Sequence, residues 1–397
     1  MTNPVGIVGG GLVGLAVGRQ LAQAGVPVVI FEKEKNLAAH QSGHNSGVVH
    51  AGVYYLPGSA KAILTRRGVG LIRKFCEEHR LPYDERGKLV VARDDLEVGR
   101  LREIEKRATE NGVPGLRWLE GGEIRELEPD VAGKAALLSP TTAITDYIGI
   151  ANAYAADIKA AGGLVLTSTP VAGIIRRGEE RVEVDTPSGA HQLSRLVICA
   201  GLQSDLVAVR AGDEQSPEIL PFRGEYLRLK PHARNRVKHL IYPVPDPAYP
   251  FLGVHLTPRI NGESDLGPNA VLAFAREGYR WRNVSGAELG RLLRSKSFRR
   301  LAKQNWRAGV REMHGSLSRK AYLAEARTYL PWLESGDVIS APAGVRAQAV
   351  DPDGSLVDDF RIHKLGPVTA VRNAPSPAAT ASLAIAERIV DELSLGR

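Results

Sequence analysis

At 397 residues the chain is too long for one small core and long enough for two units built around a shared ligand. Its 43% apolar and 24% charged residues are the balance of a folded globular protein and exclude a disordered chain, while the lack of any run of about twenty apolar residues argues against a membrane-spanning helix. The 52 basic against 44 acidic residues leave a net charge of +8, which favours anionic partners without naming one, and two cysteines, Cys76 and Cys199, are too few for a disulfide framework or a thiolate metal cluster.

In chain order, Val5 to Val8 reads as a buried strand, the glycines after it as a turn, Leu12 to Ala24 as a helix and Val26 to Phe31 as a second strand. The apolar stretch Val5 to Val17 is short, threaded with glycine and closed by Arg19 and Gln20, so it is neither a signal peptide nor a membrane span. A cytoplasmic protein is expected, with peripheral contact at the inner face of the membrane left open. From Tyr83 to Thr142 the pattern shifts to a strand at Lys88 to Ala92, a charged helix around Leu96 to Asn111 and an acidic stretch ending near Asp130. Asp146 caps a helix from Ile148 to Ala161; Leu164 to Thr167 is a strand, Val171 to Asp185 opens a meander, and Arg195 to Ala200 is buried again.

Strands follow at Gly224 to Leu229, Phe251 to Leu256 and Asn269 to Phe274, separated by proline-rich loops. Val284 to Trp332 reads as helices and is the most basic part, with Arg291, Arg294, Lys296, Arg299, Arg300, Lys303 and Arg307. A strand near Val368 to Val371 and a helix from Pro377 to Leu393 close the chain. The pattern predicts an α/β fold: a Rossmann-like dinucleotide-binding domain at 1–82, 144–208 and 336–397, interleaved with a mixed α+β substrate domain at 83–143 and 209–335.

Between the first strand and helix, Gly9, Gly11 and Gly14 supply G-x-G-x-x-G. The first allows a tight turn, the second admits a pyrophosphate, and the third lets helix approach strand. Glu32 ends the second strand, placed to accept the ribose hydroxyl protons. The fingerprint alone does not separate FAD from NAD; its companions do. Val197 to Asp205, with Gly201 at the strand end, resembles the second contact segment of flavoproteins of the glutathione-reductase type. Asn373 to Thr380 opens the last helix, so Asn373, Ser376 and Thr380 are candidates to face the flavin pyrimidine ring. A single fingerprint argues against NAD(P) as electron donor or acceptor, and no metal site is expected.

The segment His40 to Tyr55, containing His44-Asn45-Ser46-Gly47, closely resembles the L-2-hydroxyglutarate dehydrogenase/oxidase family within the D-amino-acid-oxidase-like flavoproteins. The resemblance continues through Pro221 to Tyr226, Tyr242 to Asp246, Gly253 to His255, Gly267 to Ala270, Gly344 to Gln348 and Asn373 to Thr380. It implies FAD as cofactor, with His44, Asn45, Ser46 and Gly344 beside it. It also implies oxidation of a small dicarboxylic 2-hydroxy acid, L-2-hydroxyglutarate, to 2-oxoglutarate.

Such a reaction needs the C2 hydrogen aimed at flavin N5, a base for the hydroxyl proton and cations for the carboxylates. His255 is the leading candidate base and His50 the second, because neutral imidazole is available near neutral pH. Arg223 and Arg346 are the candidate carboxylate forks, and Tyr54, Tyr226 and Tyr242 candidate hydrogen-bond donors. Arg346 is expected in a loop before the last strand. That loop holds no Cys or His for a covalent link, so FAD is expected to be noncovalent. Another 2-hydroxy acid, an amino acid or glycerol phosphate is the alternative substrate. An RNA-binding flavoprotein would need aromatic residues interleaved with its basic helices, so no nucleic acid is expected. Quinone and oxygen both stay open as electron acceptor.

Overall fold

The computed structural model describes residues 3–247 and 253–393. Six strands form the nucleotide-type sheet, in the order Arg361–Leu365, Val368–Asn373, Arg195–Ile198, Val5–Val8, Val28–Phe31 and Leu164–Leu166, with only the first antiparallel to its neighbour. The central strands Val5–Val8 and Val28–Phe31 are apolar and buried along their length because both faces are covered. Ile7, Ile30 and Val197 point into a core with the helices Leu12–Gln23, Tyr147–Ala160 and Ser382–Glu392. Val8, Phe31 and Ile198 point the other way, against the meander Gly173–Arg176, Val182–Thr186 and Gly189–Leu193.

The second sheet has nine strands, mostly antiparallel. Its order is Val271–Leu272, Glu218–Leu229, Ser264–Leu266, Leu256–Pro258, Leu240–Pro243, Lys88–Ala92, Ala135–Ser139 and Arg117–Glu120, with Val338–Val350 paired along Glu218–Leu229. Leu323, Ala326 and Leu330 close one face, and the helix Asp95–Glu110 packs Leu101, Ile104 and Ala108 on Val90 and Ala92 of the other. A small sheet of Val48–Val49, Ala143–Thr145 and Tyr83–Asp84 stitches the two together. No described helix is long and apolar enough to cross a membrane.

Several elements depart from their sequence reading. The expected loop around Arg346 is part of the thirteen-residue strand Val338–Val350, held by the ladder to Glu218–Leu229. That partner strand begins at Glu218 and not at Gly224, which puts Arg223 in its middle. Of the strand expected from Phe251 to Leu256, Phe251 and Leu252 lie outside the described residues; strand structure runs over Leu256–Pro258, and His255 immediately precedes it. The last helix begins at Ser382 and not at Pro377; the segment before it folds as turns closed by Ala378 N to Pro375 O and Ala381 N to Pro377 O.

Two buried arginines join the sheets. Arg276, beyond the strand Val271–Leu272, grips the carboxylate of Asp205 with both guanidinium nitrogens, at 2.6 and 2.8 Å, and donates to the Leu202 carbonyl at 2.6 Å. Asp205 also accepts from the Ile219 amide at 3.0 Å. Arg372, wholly buried in the strand Val368–Asn373, pairs with Asp213 and donates to the Pro217 carbonyl at 2.8 Å. Replacing Asp205 by Ala strands Arg276 as an unpaired buried cation, and is expected to lower the unfolding free energy by about 3–5 kcal/mol, read from denaturant melts. A change under about 1 kcal/mol, the scale of an exposed pair, would contradict the pinning role.

Candidate active site

The carboxyl ends of the parallel strands and one face of the larger sheet enclose a cavity of about 910 Å³. That is the upper end of the range for small-molecule sites. At its outer mouth stands the glycine turn. Gly9 takes a φ of +110°, and a Cβ on Gly14 would lie 2.1 Å from the Gly9 carbonyl oxygen, so helix and strand meet there only without side chains. A Cβ on Gly11 would meet nothing closer than the Ser42 hydroxyl at 3.1 Å, which leaves that side open. Glu32 is fixed by the amides of Gly10 at 2.6 Å and Glu34 at 2.8 Å, and its side chain lines the same mouth. Gly201, just beyond Arg195–Ile198, lines the same cavity, in a segment that packs directly against Gly9.

Further in, the wall is built from His44, Asn45, Ser46, Gly344, Asn373, Ser376 and Thr380, all expected from the sequence. Their roles differ. Asn45 spends its amide on its own loop, donating to Gln41 and Ser42 carbonyls and accepting from the Gly47 amide. Gly344 passes so close to the His44 carbonyl that a Cβ would lie 2.5 Å from it. Thr380 is used structurally: its hydroxyl oxygen accepts from the His50 amide at 3.1 Å and lies 3.1 Å from the Tyr147 hydroxyl. Asn373 donates to the Val357 and Asp359 carbonyls at 2.9 Å each, leaving its Oδ1 buried and without a partner. An open glycine turn, a strand-end carboxylate and an orphaned amide oxygen are features that a dinucleotide with a polar ring system would satisfy.

The inner end holds His50, His255, Tyr54, Tyr226, Tyr242 and Arg346 together. The His255 ring stacks on Tyr242 with centroids 3.9 Å apart, and its Nδ1 lies 2.9 Å from the Gly253 carbonyl. A carbonyl only accepts, so Nδ1 carries the proton and Nε2 keeps its lone pair. Burial pushes His255 down to about 3 despite that hydrogen bond, and the charges of Arg346 and Lys88 add to the effect. His50, which also lines the cavity, is likewise pushed down to about 3, chiefly by burial and then by the neighbouring basic groups Lys88, His255, Lys61 and Arg346. Both rings are neutral at physiological pH. The Tyr54 and Tyr242 hydroxyls are driven up by burial and stay protonated.

Arg223 is not part of this group. Its guanidinium lies 4.0 Å from the Trp281 ring centroid and 3.1 Å from the Glu225 carboxylate, outside the cavity wall. The neighbouring acid and the aromatic ring capture the charge before it can reach a ligand. Conversely, Tyr55, at the end of the segment singled out from the sequence but given no role there, lines the cavity with Lys61, and Lys88 lies behind its tyrosines; nothing in the sequence setting of the two lysines marked them. His40 bridges the two units: its ring nitrogens lie 3.0 Å from Tyr279 Oη and 3.0 Å from Glu34. Glu34, His40 and Glu277 stand close enough to share a metal ion, but the Lys33 ammonium already pairs with both carboxylates.

A profile of the family described as FAD dependent oxidoreductase matches residues 4–392, so FAD is the cofactor of this chain. The chain is 46% identical to the mitochondrial L-2-hydroxyglutarate dehydrogenase of Caenorhabditis elegans, over 97% of this chain and 92% of that one. It is 43% identical to the human mitochondrial protein of the same name, over 98% and 88%, and 42% identical to the L-2-hydroxyglutarate dehydrogenase of Escherichia coli K12, over 98% and 92%. Among solved structures, FAD-bound L-α-glycerophosphate oxidase from Mycoplasma pneumoniae superposes with a TM-score of 0.81 at 22% identity, covering 99% of this chain and 95% of that one. Glycine oxidase from Geobacillus kaustophilus gives 0.75 at 20% identity, covering 98% and 94%. These two similarities show the fold, and the three closer sequences show the lineage within it. The chain belongs to the L-2-hydroxyglutarate dehydrogenase family of FAD-dependent oxidoreductases.

Proposed function

We propose that this protein oxidises L-2-hydroxyglutarate to 2-oxoglutarate, with His255 accepting the hydroxyl proton and His50 beside it. The observation that carries the reading is the His255 ring, whose Nδ1 is committed to the Gly253 carbonyl, so that a neutral Nε2 lone pair remains in a residue lining a cationic cavity. Bound FAD supplies the acceptor for the C2 hydride at flavin N5. Arg346 holds the carboxylate next to C2, since its planar fork matches two oxygens at once. Tyr54, Tyr226 and Tyr242, protonated by burial, donate to the remaining substrate oxygens. Arg223, already paired with Glu225, takes no part. At the other end Gly9, Gly11 and Gly14 admit the pyrophosphate and Glu32 the ribose, while Asn373 and Ser376 border the flavin ring.

The electrons pass on to a quinone at an anionic membrane surface. Supporting this are the helices Gly286–Arg294 and Lys296–Leu317, whose many arginines and lysines surround the exposed apolar side chains of Leu293, Trp306 and Val310.

Changing His255 to Gln is expected to slow flavin reduction in stopped flow by about 10²- to 10⁴-fold while the bound-flavin spectrum is kept, and near-normal reduction would remove the assignment. Both histidines are already deprotonated above about pH 5 in the free protein, so kcat/KM should show no acid limb down to that pH. Acid precipitation should release the flavin into the supernatant, and yellow colour kept in the pellet would mean a covalent link. For the acceptor, anaerobic turnover with a soluble quinone analogue should outrun aerobic peroxide formation; equal rates would favour oxygen.

A further inference from the structure

Lys88 is the strangest placed charge in the molecule. It opens the strand Lys88–Ala92, paired in register with Leu240 on one side and Ser139 on the other, and is 0% exposed. A lysine at a strand end ordinarily carries its ammonium out to water along its own methylenes. Here Nζ stays inside with no hydrogen-bond partner, 4.4 Å from the Tyr54 ring centroid and 5.2 Å from that of Tyr242. Both rings line the cavity, and Lys88 stands one layer behind them. The Tyr54 hydroxyl is also buried and without a partner.

No ion pair answers this amine among the described residues. The groups around it are Tyr54 and Tyr242, which stay protonated, and His50 and His255, which are neutral. Lys61, also near His50, already pairs with Asp358 at 2.8 Å. A methionine would fill the same space without the cost of taking an ammonium out of water. Burial lowers Lys88 to about 7, so the amine stands near the edge of ionisation with its counter-charge missing.

We propose that Lys88 is the positioning residue that matches this cavity to a doubly charged acid: it takes a proton from solvent as the dianion enters, and as a cation against Tyr54 and Tyr242 it holds the ligand's second charge. The proposal rests on the dicarboxylate substrate read above. Its sign follows from linkage. Above the free amine's midpoint the dianion must bring a proton in with it, and below that midpoint the proton is already there, so affinity falls as pH rises through about 7.

The test uses the FAD-loaded protein and glutarate, a five-carbon dicarboxylate with no hydroxyl to oxidise, titrated by calorimetry in buffers of different ionisation enthalpy. The wild type is expected to take up about one proton per glutarate near about pH 8.5 and almost none near about pH 5.5. Lys88→Met should bind glutarate about tenfold to a hundredfold more weakly with no proton uptake at either pH, and raise KM for the hydroxy acid more than it lowers kcat. Lys88→Arg, permanently charged, should restore binding while abolishing its pH dependence. Proton uptake that persists in Lys88→Met would assign it to a histidine and overturn the proposal, as would a wild type that binds glutarate without uptake or does not bind it. Failure of L-2-hydroxyglutarate to reduce the wild-type flavin would instead sink the substrate reading, leaving the glutarate result to stand by itself.

Discussion

The pairing of Glu218–Leu229 with Val338–Val350 is what keeps two differently built sheets facing one cavity. One end of this ladder, at Glu218 and Val350, lies beside the nucleotide-type sheet, where Ile219 donates to Asp205 and Asp205 in turn holds Arg276. Along it the ladder carries Gly224, Tyr226, Gly344 and Arg346 to the cavity wall. Because the two strands hold each other by backbone hydrogen bonds, these groups arrive as one rigid set. The bulge between Gly224 and Tyr226 is the one interruption, and it falls where the wall passes from the glycines to the tyrosine.

Within that enclosure the electrostatics share a cause. Burial strips water from His50, His255 and Lys88 alike, and each gives up charge in response. The Arg346 guanidinium lines the same cavity as these neutral imidazoles. In a medium of low effective dielectric an arriving carboxylate interacts with all of them more strongly than it would in water.

The parts legible in the sequence were those fixed by local geometry. Gly9, Gly11, Gly14 and Glu32 announce themselves because a tight turn and a strand end need those residue types at that spacing. The tyrosines and histidines were reached through the resemblance of whole segments, and all of them line the cavity. What could not be read depended on neighbours distant in the chain. Arg223 and Arg346 look equally suited to a carboxylate, yet Trp281, fifty-eight residues beyond the first, draws Arg223 away. Arg346 read as a loop residue because the glycine and alanines around it are poor strand formers, and the long ladder overrides that preference. Lys88 ahead of four apolar residues reads as an ordinary strand start, and only the strands packed on either side show that it has no route to water.

The order of the nucleotide-type sheet has a consequence for how the protein comes into being. Val5–Val8 is synthesised long before the strand two places away in the sheet, Val368–Asn373. In between, Arg195–Ile198 presents an open edge on which a stray strand can pair, and the glycine turn has no opposite wall from Asn373 and Ser376. The two halves of the cavity wall therefore meet only after Val368–Asn373 has been made, and the interval before that is when the nascent sheet is most exposed to misassembly.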